Sequence, residues 1–223
     1  MPRNLDVTTM PRPARHPRIF EVFDALAVGE SLVLANDHYP LPLLEELLAS
    51  RPNQFDWSVL EKGPCFRVAI TRRDEGAPRG VDEYLSWDHN RLDALLDETI
   101  DLFEAARIDD ARKCFGEFVC GLERHIEAEE NIVFPIFDAV RPGSGPTQVM
   151  RFEHVHIRDA LRDLAAAIER GDAEAFDDAL ETLVNVLGEH NAKEEGILYP
   201  AIDRMVDAED RANLVRQMQL APP

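Results

Sequence analysis

The sequence predicts an α+β two-layer domain at its N-terminus, followed by an all-α antiparallel four-helix bundle. Up to about residue 73, short β-prone runs alternate with runs of helical spacing. Beyond residue 80 there are four long helical stretches separated by short turns. A shift of 65 positions also lays the second half of the helical region over the first.

In the first region, Asn4 to Thr8 reads as a leading strand and RIFEVFDAL as a helix, with Ile19, Phe20, Phe23 and Leu26 on one side and an end before Gly29. SLVLAND is a short apolar strand that stops at Asn36-Asp37, and LPLLEELLAS after Pro40 is a second helix. FDWSVL and CFRVAITR are two strands joined at Lys62-Gly63-Pro64, a composition that suits a hairpin loop. RRDEGAPRG has the composition of a linker and puts a boundary near Gly76 to Gly80. The expected organisation is a small domain over 1–75, a bundle over 81–206 and a tail over 207–223. The bundle helices fall at about 81–106, 109–140, 146–170 and 172–206, with RPGSGP as the middle turn.

Composition narrows the partners. Twenty-four Lys and Arg against 43 Asp and Glu give a net charge of −19, which repels nucleic-acid phosphates and anionic lipid, so neither nucleic acid nor membrane is an expected partner. No apolar run approaches a membrane span, and MPRNLDVTTMPRPARHPRIF lacks the apolar stretch of a signal peptide, so a cytoplasmic protein is expected. Cys65, Cys114 and Cys120 have no paired spacing and read as buried small apolar residues.

The repeat points to chemistry. LERHIEAEENIVFPIFD (122–138) falls on LGEHNAKEEGILYPAID (187–203), so that His125 meets His190, Glu129 meets Glu194 and Glu130 meets Glu195. DHNRLDALL, from Asp88, falls on EHVHIRDAL, from Glu153, so that His89 meets His154. Each half is a helical hairpin with one histidine on its first helix and His-x-x-x-Glu on its second. Positions four apart on a helix lie roughly 40° apart and one turn along, so each His-x-x-x-Glu can aim two ligands at one volume. The expected metal ligands are His89, His125, Glu129, His154, His190 and Glu194. Imidazole suits iron, zinc, copper or nickel, and bridging carboxylates favour a pair of ions, so two irons bridged by Glu129 and Glu194 is the economical arrangement. Glu130 and Glu195, one position further round, are expected in solvent or behind the ligands, with an exchange of roles with Glu129 and Glu194 as the alternative. His156 aligns with Arg91 rather than with a histidine, and His16 and His38 lie in the other region without such a register.

The doubled His-x-x-x-Glu-Glu-x-x-(Leu/Val)-(Phe/Tyr)-Pro pattern and its matching upstream histidines resemble the hemerythrin-like family, named for its His-His-Glu cation-binding motifs. The resemblance covers about 81–206 and implies an oxo- or hydroxo-bridged di-iron centre in a four-helix bundle. It also implies a small diatomic ligand, O₂ or NO. Oxygen-carrying members have a fifth histidine four residues after the third-helix ligand, where this chain has Arg158. The resulting set is similar to that of a bacterial branch tied to nitrosative stress and iron–sulfur cluster repair. GESLVLANDHYPLPLLEEL and FDWSVLEKGPCFRVAITR resemble a small bacterial domain of unknown function similar to the sulfur-carrier (SirA-like) fold. MPRPARHPRIF lacks the Cys-Pro motif of such carriers, which leaves ligand binding or docking of a protein partner. The expected function is gas binding by a non-haem di-iron protein in a nitrosative or oxidative stress or sensing role. Alternatives are iron-dependent redox turnover of peroxide or NO, and an iron-delivery or repair module for iron–sulfur clusters.

Overall fold

The structure is a computed structural model that describes residues 2–74, 76, 79–140 and 145–221. The chain divides into two compact units, residues 1–78 with 219–223, and residues 79–218. Part of the RPGSGP turn (141–144) and of the linker (75, 77 and 78) lies outside the described residues.

The first unit runs β1 (Arg3–Asp6), α1 (Arg12–Asp24), β2 (Ser31–Asn36), α2 (Leu41–Ser50), β3 (Phe55–Glu61) and β4 (Phe66–Arg72). Its mixed sheet has the order β1-β2-β4-β3: β1 is parallel to β2, and the β3–β4 hairpin is antiparallel and places β4 against β2. Ile19, Phe23, Leu32, Leu34, Leu43, Leu47, Phe55, Trp57 and Ile70 are buried here, and Phe23 meets Phe55 edge-on at 6.2 Å. Helix α1 begins six residues before the RIFEVFDAL stretch and runs through Pro17. A proline ordinarily ends a helical reading. In this helix Pro13 sits in the first turn, where its missing N–H costs nothing, and Pro17 is accommodated inside. The buried Arg15 fastens the start of α1 to its surroundings, donating to Asp37 (2.7 and 3.1 Å), to Asn36 (2.9 Å) and to the carbonyls of Thr8 and Met10 (both 3.0 Å).

The second unit contains α3 (Val81–Glu104), α4 (Ile108–Ala128), α5 (Phe134–Val140), α6 (Pro146–Arg170), α7 (Ala173–Lys193), α8 (Tyr199–Met205) and, up to Met218, α9 (Ala208–Leu220). Two single π-turns, Glu129–Val133 and Glu194–Leu198, join α4 to α5 and α7 to α8. Helix α3 packs on α4, α6 on α7, and α4 on α6, the arrangement of a four-helix bundle with two hairpins. Apolar residues form two clusters along its length. One gathers Leu92, Phe118, Leu122, Ile157, Leu164, Leu183 and Leu187, the other Leu85, Val133, Phe134, Met150, Leu198, Tyr199 and Ile202. On α3, α6 and α7 the predicted histidine falls between the residues of one cluster and those of the other, and on α4 His125 lies where the first cluster gives way to the second, so a polar layer crosses the bundle between two dry ones.

The 65-residue register extends to the ends of the helices. Gly80 and Gly145 are the N-cap residues of α3 and α6. The Asp203 carboxylate accepts from the N–H groups of Val81 (2.9 Å) and Asp82 (3.2 Å), while its counterpart Asp138 takes the Thr147 hydroxyl and pairs with Arg151 at the start of α6. Residues 207–223, expected to be a tail, instead carry α9. The Asp207 carboxylate caps it by accepting from the N–H groups of Glu209 and Asp210, and Leu214, Val215 and Met218 are buried in the second cluster. The cysteine expectation is corrected for two of the three: only Cys114 is buried, and Cys65 and Cys120 are half-buried. Cys65 adjoins the β3–β4 turn, where the chain meets solvent.

Candidate metal centre

The six predicted residues are all buried, Glu129, His154 and Glu194 completely. Their donor atoms form two overlapping groups, Glu129, His154, His190 and Glu194 in one and His89, His125 and Glu194 in the other, with the atoms of each group within 4.8 Å of one another. The imidazoles are paired. His89 Nε2 lies 3.1 Å from His125 Nε2, and His154 Nε2 lies 3.1 Å from His190 Nε2. Each carboxylate spans both pairs. Glu129 turns Oε1 toward His125 Nε2 (3.6 Å) and Oε2 toward His154 Nε2 (3.2 Å), and Glu194 turns Oε2 toward His89 Nε2 (3.5 Å) and Oε1 toward His190 Nε2 (3.1 Å).

Carboxylates hold the outer nitrogens. His89 Nδ1 meets Glu195 (2.8 Å), His125 Nδ1 meets Asp88 (3.1 Å), His154 Nδ1 meets Glu130 (2.7 Å) and His190 Nδ1 meets Glu153 (3.0 Å). A carboxylate on Nδ1 holds a proton there and turns Nε2 inward, where a metal can take its lone pair. Glu130 and Glu195 therefore support histidines of the opposite hairpin. Asp88 and Glu153 had no assigned role in the sequence, although each directly precedes a ligand and the two share one register position. His156 is exposed and packs on Phe152, and Arg158 pairs with Glu123 (3.0 Å) and, more distantly, with Glu130 (3.6 Å).

The π-turns bring a further side chain inward. The N–H groups of Phe134 and Tyr199 bond to the carbonyls of Glu129 and Glu194, five residues back. In a regular α-helix five residues carry a side chain roughly 140° away. In a π-turn the fifth residue takes the place the fourth has in an α-helix, so Phe134 and Tyr199 return to the ligand face. Pro135 and Pro200, with no N–H and a ring that crowds the preceding turn, suit such a widened ladder. The Tyr199 hydroxyl reaches Glu129 Oε1, Glu194 Oε2 (2.8 Å), His125 Nε2 (3.2 Å) and His89 Nε2 (3.5 Å). Phe134, its counterpart, stacks on His154 with centroids 5.8 Å apart and offers no polar atom.

The electrostatics favour positive charge. Burial alone would lower the His125 pKa, but the charges of Glu129 and Asp88 outweigh it and push it up to about 10. Burial would raise Asp88 and Glu129, yet Arg91 with His125 holds the first below its ordinary value, and His125 with His154 holds the second well below. Burial and the neighbouring Glu129 and Glu194 push the Tyr199 phenol well above its usual value.

In the first unit, His16 and His38 line a cavity of about 400 Å³ together with Arg12, Arg15, Asn36 and Asp37; no cysteine lines it.

Residues 81–202 match the model of the hemerythrin HHE cation-binding domain, and residues 4–72 match a family described as an uncharacterized conserved protein (DUF2249). A DNA nickase of Nostoc sp. (strain PCC 7120) is 24% identical over 153 residues, which cover 69% of this chain and 42% of that protein. The chain thus spans less than half the length of that relative. No solved structure matches it.

Proposed function

The chain belongs to the hemerythrin HHE cation-binding family, and from that premise we propose that it is a non-haem iron protein whose pair of irons binds a diatomic gas, NO or O₂, in a nitrosative or oxidative stress response. The donor set carries this reading. With each Nδ1 proton donated to its outer carboxylate, the four Nε2 atoms can offer lone pairs to metal beside the four oxygens of Glu129 and Glu194, and metal would displace the extra proton that His125 holds. Such a group, buried between two dry layers, calls for cations at its centre. Glu129 Oε2 and Glu194 Oε1 are buried without any hydrogen-bond partner, a fit for atoms that ligate metal.

His89 and His125 would hold one ion and His154 and His190 the other, with Glu129 and Glu194 reaching both. Iron at this site would supply an exchangeable coordination position and a change of oxidation state. The chain's own groups do the rest. Asp88, Glu130, Glu153 and Glu195 hold the rings in one tautomer, and the apolar clusters on either side keep bulk water from the donors. Arg158 stands where a fifth imidazole would be and is engaged with Glu123 and Glu130, so it contributes no nitrogen to the site. The DNA nicking in the relative's name fits this chain poorly, because a net charge of −19 opposes DNA binding and the likeness covers only part of that protein.

Anaerobic purification followed by metal analysis tests the reading, with about two irons per chain expected. Adding NO to that protein should change its visible and infrared spectra. Protein that carries no iron would refute the metal assignment, and iron-loaded protein inert to both NO and O₂ would refute the gas-binding role.

A further inference from the structure

The two metal positions are not equivalent, and one residue separates them. Around His89 and His125 the inward atoms are two imidazole nitrogens, Glu129 Oε1, Glu194 Oε2 and the Tyr199 hydroxyl. Around His154 and His190 they are two imidazole nitrogens, Glu129 Oε2 and Glu194 Oε1, with the Phe134 ring as the wall. Tyr199 is completely buried, and its hydroxyl, with a single proton, faces four polar atoms at once, the two carboxylate oxygens and two imidazole nitrogens of its own side. One proton can satisfy one of them. Its oxygen, in contrast, lies at the focus of all four, as a further donor atom to the same ion would.

We propose that Tyr199 is a ligand of the His89/His125 ion, so that this position is closed by the phenol oxygen and the exchangeable position lies at the His154/His190 ion beside Phe134. The inference rests on the iron reading above and adds to it which ion takes the gas. Binding forms one metal–oxygen bond and breaks the phenol O–H bond; the proton leaves to buffer, as it does for other protonated ligands on metal binding. No electron is transferred in that step. Phe134 has no atom that could do the same, and its ring makes the wall of the open position apolar, which suits an uncharged diatomic.

The experiment uses the full-length protein, loaded with ferric iron and assayed for iron per chain in every sample. The wild type should show a visible charge-transfer band whose excitation enhances phenolate ring vibrations in the Raman spectrum. In Tyr199→Phe that band and those vibrations should vanish while the iron content stays unchanged. In the ferrous proteins NO uptake should rise from one per chain in the wild type to two in Tyr199→Phe. Should Tyr199→Phe fail to fold, Phe134→Tyr serves: it places a second phenol on the other ion, and should strengthen the band about twofold and abolish NO uptake. Iron at two per chain with no phenolate signature, or with a signature that survives Tyr199→Phe, would overturn the ligand assignment and leave the iron reading standing. Protein without iron would overturn both.

Discussion

The two hairpins of the bundle, residues 81–140 and 146–205, fill the same structural roles with partly different side chains. Both supply one histidine, then His-x-x-x-Glu, then a π-turn and a proline. Where the halves agree, the residue serves the centre shared by both. Some differences are absorbed locally: Arg91 on α3 neutralises Asp88, whereas Glu153 is neutralised by Lys193 from α7. Agreement thus marks the shared ligands, while disagreement runs from such local adjustments to Tyr199 and Phe134, which differ within the site itself.

The largest expected effect falls on residues the halves share. His125→Ala and His190→Ala should each lower the metal content of the purified protein sharply, because each removes one of the two imidazoles holding an ion. His156→Ala, which changes an exposed ring that corresponds to Arg91, should leave it unchanged. Equal loss in all three, measured by metal analysis, would break the equivalence of the halves.

A smaller effect separates the halves. Asp88→Ala and Glu153→Ala each release an Nδ1 from its carboxylate and should weaken metal binding by about 10- to 100-fold. Their effects on the stability of the metal-free protein should differ. Removing Asp88 strands Arg91, whose side chain is only 19% exposed and whose Nη1 already has no hydrogen-bond partner, at a cost of about 2–3 kcal/mol. Removing Glu153 strands Lys193, which is 41% exposed and can turn to water, at a cost of about 1 kcal/mol or less. Urea unfolding of the two variants compares them, and equal costs would show that the partner cations are interchangeable.

What the sequence made legible follows the same division. A repeat compares a chain with itself, and it brought out all six residues that the structure gathers in the polar layer. Tyr199 was not legible, because a regular helix turns the fifth residue after Glu194 away from the ligands; Pro135 and Pro200 were the only sign that the ladder widens there. The outer carboxylates were only partly legible, since Glu130 and Glu195 act across the hairpins and no spacing within one helix reveals a partner on another. In the first unit the strands and α2 followed from β-prone runs and turn residues. The start of α1 did not, because Pro17 reads as a boundary and is in fact inside the helix. No repeat exists in that unit, and its fold could be read while its chemistry could not.

The smallest effect tests whether the register extends to the backbone. Helices α3 and α6 both end with a residue in the left-handed region, Ala106 at φ 57° and Gly171 at φ 61°. Both ends make the same pair of closing bonds. Arg107 N–H reaches the Leu102 carbonyl (2.9 Å) and Asp172 N–H that of Ala167 (3.2 Å), while Ala106 N–H and Gly171 N–H reach the carbonyls of Phe103 (2.9 Å) and Ile168 (3.1 Å). Only glycine adopts this conformation without crowding its Cβ against backbone, a strain of roughly 1 kcal/mol for alanine. Ala106→Gly should therefore stabilise the protein by about 0.5–1 kcal/mol, and Gly171→Ala should destabilise it by a similar amount. Thermal unfolding of the two single variants and of the double variant reads this directly. The double variant should return close to the wild type, because the two helix ends share no residues and their effects add.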